Sequence, residues 1–108
     1  MPVWKVESIE ADPEIVLVDW IIFEVTSELW SQKTSHFVGY NIHGREGRVS
    51  SAIVQFDGEK MTGKTRSGRI YQLKGPQGSG SPDGLHTWNY WCDHSKITIC
   101  EAVSSESL

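Results

Sequence analysis

The sequence is poor in the residues that usually announce a covalent or metal framework. Its 108 residues contain two cysteines, Cys92 and Cys100, and four histidines. Two cysteines give no disulfide network, and free thiols point to a bacterial-type cytoplasm. His86, Cys92, His94 and Cys100 match zinc ligands in type, but no tight two-ligand knuckle such as Cys-x-x-Cys is present. No metal or cofactor is therefore expected. Long hydrophobic runs are also missing. The densest apolar stretch, 15–25, is broken by Asp19 and Glu24 and is too short to cross a bilayer. The opening Met1-Pro2-Val3-Trp4-Lys5-Val6-Glu7 lacks the basic region and apolar run of a signal peptide. No membrane attachment is expected, and the cytoplasm is the expected setting.

What is present describes one globular domain over residues 1–108. A 38% hydrophobic and 22% charged composition excludes a disordered chain. Five tryptophans are many for this length, and large aromatics either fill a core or line a contact surface. The net charge of -4 is unevenly spread. Residues 1–35 carry two Lys/Arg against seven Asp/Glu, 36–74 carry seven against three, and 75–108 carry one against four. A basic middle third inside an acidic protein reads first as mutual neutralisation of neighbouring strands, and second as a local anion site.

Side-chain period places the elements. Residues 3–9 give a short strand signal. Residues 15–27 are apolar on both faces, with Ile15, Leu17, Ile21, Phe23 and Val25 on one and Val16, Val18, Trp20 and Ile22 on the other. That pattern means a strand covered on both sides, one by a helix and the other by a partner subunit. Residues 36–43 and 48–56 alternate around a 44–47 turn and predict a hairpin. Residues 69–74 alternate again, and 59–61 could add a short strand. Residues 75–84, with four glycines and two prolines, read as a flexible loop. Leu85, Trp88, Tyr90, Trp91 and Cys92 fit a helical face behind the start signal Ser81-Pro82-Asp83. Residues 96–103 return to strand, and 104–108 read as a frayed tail. The sum is an α+β domain: a mostly antiparallel, curled sheet of five or six strands, a half-open barrel, with one short helix.

Several motifs have to be weighed. Gly58-Glu59-Lys60-Met61-Thr62-Gly63-Lys64-Thr65 satisfies the letters of a phosphate-binding loop. Its mechanism needs a helix after Thr65, whereas Arg69 to Leu73 alternate as a strand, so a glycine-rich connection between antiparallel strands is the preferred reading over nucleotide hydrolysis. Cys92 with His36, His43 or His94 makes a conceivable nucleophile pair and the weaker alternative of a small enzyme. Arg45, Arg48, Lys64, Arg66 and Arg69 near Tyr40, Tyr71, Trp88 and Trp91 could grip a small anion, a small ligand or single-stranded nucleic acid. The binding candidates are Arg48, Lys64, Arg66, Arg69 and Tyr71 with the 75–84 loop. Nucleic acid is disfavoured by the acidic whole. The competing reading buries Tyr71, Trp88 and Trp91 and pairs the arginines with Glu24, Glu28 and Asp57.

Gly47-Arg48-Val49-Ser50-Ser51, Thr65-Arg66-Ser67-Gly68-Arg69-Ile70-Tyr71-Gln72-Leu73 and Trp88-Asn89-Tyr90-Trp91, with Trp4-Lys5-Val6-Glu7, cover most of the chain. Together they resemble small bacterial proteins of the type encoded on mobile integron gene cassettes. The resemblance implies a compact bacterial cytoplasmic protein and brings no activity or catalytic residue. The leading expectation is a non-enzymatic binding or assembly module, a homodimer through Val16, Val18, Trp20 and Ile22.

Overall fold

A computed structural model describes residues 3–6 and 8–108. Met1, Pro2 and Glu7, the last inside the expected 3–9 strand, lie outside the described residues. Among the described residues eight strands and one α-helix follow one another: β1 (Trp4–Lys5), β2 (Ile15–Ser27), β3 (Thr34–Asn41), β4 (Glu46–Val49), β5 (Ile53–Asp57), β6 (Thr62–Thr65), β7 (Ile70–Leu73), α1 (Pro82–His94) and β8 (Ile97–Val103). The chain closes with a single 3-10 turn, Ser105–Ser107, where a frayed tail was expected. The class is α+β, dominated by strands, and the curled sheet is not closed. The sheet is mixed, not all antiparallel, and has eight strands, not five or six. Its order is β1-β5-β6-β7-β2-β3-β4, with β8 also on β2. The β1–β5 and β2–β7 pairs are parallel.

The thirteen-residue β2 is the spine. One edge pairs with β3 from Leu17 to Val25. The other is shared: 15–17 pair with β7 and 22–27 pair with β8. Between Val18 and Ile21 the ladder to β3 skips a residue, and Asp19 sits there with φ 47°. This is a β-bulge with an aspartate in the left-handed region, which Asp tolerates better than most residues. One extra residue reverses the side-chain alternation. Ile15 and Leu17 therefore share a core cluster with Trp20 and Ile22, joined by Phe37, Ile53, Phe56, Tyr71 and Leu73. Ile21, Phe23 and Val25 turn to the other face, which α1 covers through Trp88 and Trp91. The expectation of Trp20 and Ile22 on a partner-facing surface is corrected by this bulge: they are 2% and 0% exposed.

The same bulge gives the 75–84 loop its contacts with β2. Gly78 N donates to Trp20 O, Gly80 N to Asp19 O, and Ser79 N to the Asp19 carboxylate, at 2.7–2.8 Å. Trp20 Nε1 donates to Gly75 O. The loop thus fills the stretch of β2 edge that neither β7 nor β8 reaches. It delivers the chain to Ser81, which caps α1 by accepting from Gly84 N at 2.9 Å.

Two further expectations change. The expected 48–56 strand is split into β4 and β5. Ser50 Oγ takes the Phe37 N–H that a continuing strand would have bound, and the chain turns there. Residues 59–61 belong to a turn and Thr62–Thr65 to a strand, so no helix follows Gly63. The phosphate-loop reading has no structural support.

Helix α1 approaches the sheet through glycine. A Cβ on Gly84 would stand 2.8 Å from Gly39 O and 3.1 Å from Gly39 N, and one on Gly47 would collide with the Asp83 carbonyl. These contacts are with backbone, which cannot rotate away. Gly84→Ala gains about 1 kcal/mol of helix propensity but creates an overlap costing about 1–3 kcal/mol. Net destabilisation is expected in urea unfolding; a stabilised variant would show that α1 is not held this close.

Candidate functional site

The five expected binding residues do not converge. Tyr71 is buried at 1% exposure, and its hydroxyl accepts from Arg48 Nε at 3.2 Å. Arg48 also lies 3.7 Å from Glu46. Arg69 pairs with Glu14 at 3.3 Å on the surface, where such pairs contribute little. Lys64 is half-buried on β6, and Arg66 is exposed in the β6–β7 turn. Charge neutralisation does occur, but with Glu46 and Glu14 and not with the expected Glu24, Glu28 and Asp57; Glu24 instead pairs with Lys33. Two open grooves, of about 950 and 650 Å³, lie at the other end of β5 and β6, and none of the five residues lines either. Asp57 forms part of the larger one. Its Oδ1 accepts from Glu59 N and Lys60 N, an Asx turn closing the β5–β6 hairpin, and its buried Oδ2 has no partner among the described residues.

The tryptophans resolve toward the core. Phe23, Trp88 and Trp91 stack in sequence, with centroids 4.9 Å apart at each step. His36 lies against Trp91 at 4.6 Å. Both ring nitrogens of His36 are engaged. The Ser50 carbonyl, 2.9 Å from Nδ1, can only accept, so Nδ1 carries the proton. Nε2 then accepts from the Thr34 hydroxyl at 2.7 Å. Burial, with help from the nearby Arg66 charge, lowers its pKa to about 4. This histidine is a neutral structural group with no free nitrogen to take a proton from a thiol. Burial raises Cys92 to about 11, reinforced by Cys100 and Asp93. A thiol held that high is protonated near neutrality and is a poor nucleophile. Among the described residues no group of three or more His, Cys, Asp and Glu side chains is placed to hold a metal, and no helix is long and apolar enough to cross a membrane.

The core between the strands is filled by its own side chains, so interaction surface must be sought outside. Two places present it. Val16 and Val18, two of the expected interface residues, lie half-buried on the outer face of β2. Their cross-strand neighbours are Ile42 and Tyr40. The larger departure is β8. Among the described residues it pairs with β2 alone, and five of its seven residues are exposed. Edge strands normally carry lysine, proline or a bulge that discourages further pairing. Within Ile97–Val103 the only charge is Glu101 and there is no proline; the ladder to β2 has one irregularity, at Thr98, and beyond it Ile99 is 52% exposed and the pairing is regular to Val103. The other two edges are blunted: β1 has two residues, and the four-residue β4 is packed against α1.

Register fixes which main-chain groups of β8 are open. Phe37 directs both its N–H and its C=O at Ser50, away from β2. Its partner Ile22 must then direct its own pair at β8, where it faces Val103. Alternation along the strand gives Glu101 and Ile99 the same inward orientation. Cys100 and Ala102 point their N–H and C=O away from β2, to the open edge. Sequence periodicity identified β8 as a strand but carried no sign that one side would be left bare.

No family model, no curated protein and no solved structure matches this chain.

His36 sets a pH dependence. Its folded pKa is below the ordinary 6.5, so below pH 6.5 the unfolded chain takes up a proton that the fold refuses until about pH 4. Its contribution is complete above 6.5 and lost as pH falls toward 4, by about 3 kcal/mol. In urea unfolding from pH 7 to 4, His36→Gln is expected to lose less stability than the parent. Parallel slopes would show that His36 is not a buried neutral group.

Proposed function

We propose that this chain is a non-enzymatic binding and assembly module that forms a homodimer. The observation that carries the reading is the open edge of β8, whose unpaired main-chain groups and exposed Ile99 are complementary to another strand. A strand added there gains ladder hydrogen bonds without disturbing the rest of the sheet. The other features fit a module without chemistry of its own. His36 is occupied by Ser50 and Thr34, the Cys92 thiol is held protonated, and the cationic side chains are dispersed. A bacterial cytoplasmic setting belongs to the same proposal and rests on the free thiols and the cassette-protein resemblance.

Sedimentation velocity over a concentration series tests it. The expected species has twice the 12.2 kDa chain mass. Ile99→Lys puts a charge on the open edge at a position already half in solvent. It should give monomer with an unchanged melting temperature. Val18→Lys, on the outer face of β2, should leave the dimer intact. A 12.2 kDa species at every concentration would remove the proposal. Loss of the dimer on Val18→Lys but not on Ile99→Lys would move the interface to the β2 face.

A further inference from the structure

The open edge also specifies how a second copy docks. Resting on the homodimer reading above, we propose that two chains pair β8 with β8 antiparallel, about a two-fold axis passing beside Cys100, so that the two Cys100 residues face each other.

Three observations lead there. First, the axis must run normal to the sheet for two edges to join into one continuous sheet, and facing residues must then share a face. Only registers centred on a residue satisfy this. Second, Cys100 is the midpoint of Ile97–Val103. Centring on it pairs Glu101 with Ile99 and Ala102 with Thr98 of the other copy, while Ile97, beyond the register shift at Thr98, turns toward α1 and stands outside the regular overlap. Third, neighbouring registers are worse. Centring on Glu101 sets two carboxylates directly opposite at about 4.5 Å between Cα atoms, where like charges repel. These would join Glu24, which already faces Glu101 across the β2–β8 ladder with only Lys33 to balance it. Centring on Ile99 strands Ala102 and Val103 beyond the overlap.

The orientation of the main chain agrees. Cys100 and Ala102 carry the outward N–H and C=O groups, so a Cys100 pair centred on the axis exchanges both of its hydrogen bonds. Such a pair brings the Cα atoms to about 5.5 Å, within the range that a disulfide spans. Cys100 is exposed, whereas Cys92 is half-buried on α1. The facing thiols are therefore a reporter of register, independent of the mass measurement.

The test is oxidation of the native protein by diamide. The two facing thiols release two protons and two electrons to the diazene, which becomes the hydrazine, and one S–S bond forms between the chains. The parent and Cys92→Ser are expected to give a band at twice the chain mass on a non-reducing gel, and Cys100→Ser to lose it. By sedimentation, unoxidised Cys100→Ser should still be a dimer, since serine fills nearly the same space. Ile99→Lys, which leaves Cys100 just as exposed, should lose the cross-link, so a persisting band would reveal random collision and overturn the register. A dimer by sedimentation that gives no Cys100 cross-link, or one linked through Cys92, would likewise overturn the register while the homodimer stands. An intramolecular Cys92–Cys100 disulfide in place of the dimer band would also overturn it. A chain monomeric before oxidation would remove the homodimer itself.

Discussion

The structure depends on one irregularity in one strand. β2 is paired along both edges, and its bulge at Asp19 decides which of its side chains go where. A regular strand of this sequence would send Leu17 and Trp20 to opposite faces. The extra residue brings them to the same face, and the inner core assembles from both halves of β2. The bulge also frees the carbonyls of Asp19 and Trp20 from strand pairing. The glycine-rich segment binds them. The start of α1 is positioned by that segment, so the outer layer inherits its placement from the same point.

The outer layer is a second, smaller core with a different chemistry. Its centre is aromatic, a stack of Phe23, Trp88 and Trp91 with His36 at its side. A polar ring survives there because both nitrogens find partners and the proton stays off, so the low pKa follows from burial already compensated by hydrogen bonds. Close contacts of Gly84 with the Gly39 backbone and of Gly47 with the Asp83 backbone let the helix sit against the strands. This leaves α1 over β3 and β4 with little reach toward β8.

That asymmetry is what shapes the functional reading. One end of the sheet is covered by the helix and another is cut short, while the seven residues of β8 extend past the covered region with one face of pairing unused. The basic residues of the middle third, which in sequence look like a concentrated patch, are spread over β4, β6 and the β6–β7 turn. Arg48 is drawn to the Tyr71 hydroxyl, and Arg69 to Glu14 on the outside. Main-chain complementarity at an edge is therefore a better-supported basis for recognition than charge.

By itself the sequence determined the α+β class, the helix after Ser81-Pro82-Asp83, the strand character of 15–27 and of 96–103, and the absence of a helix behind Lys64. Each is a local property, because period and capping act over a few residues. Only the tertiary structure decided the parity switch at Asp19, the parallel β1–β5 and β2–β7 pairs, the division of 48–56 at Ser50 and the contacts of the 75–84 loop with β2. Each of these depends on hydrogen bonds between residues far apart in the chain, which leave no periodic mark. The candidate site divides in the same way. Alternation made 96–103 a strand, but its open side exists because β2 gave its remaining edge to β7 and the loop, and because α1 lies elsewhere.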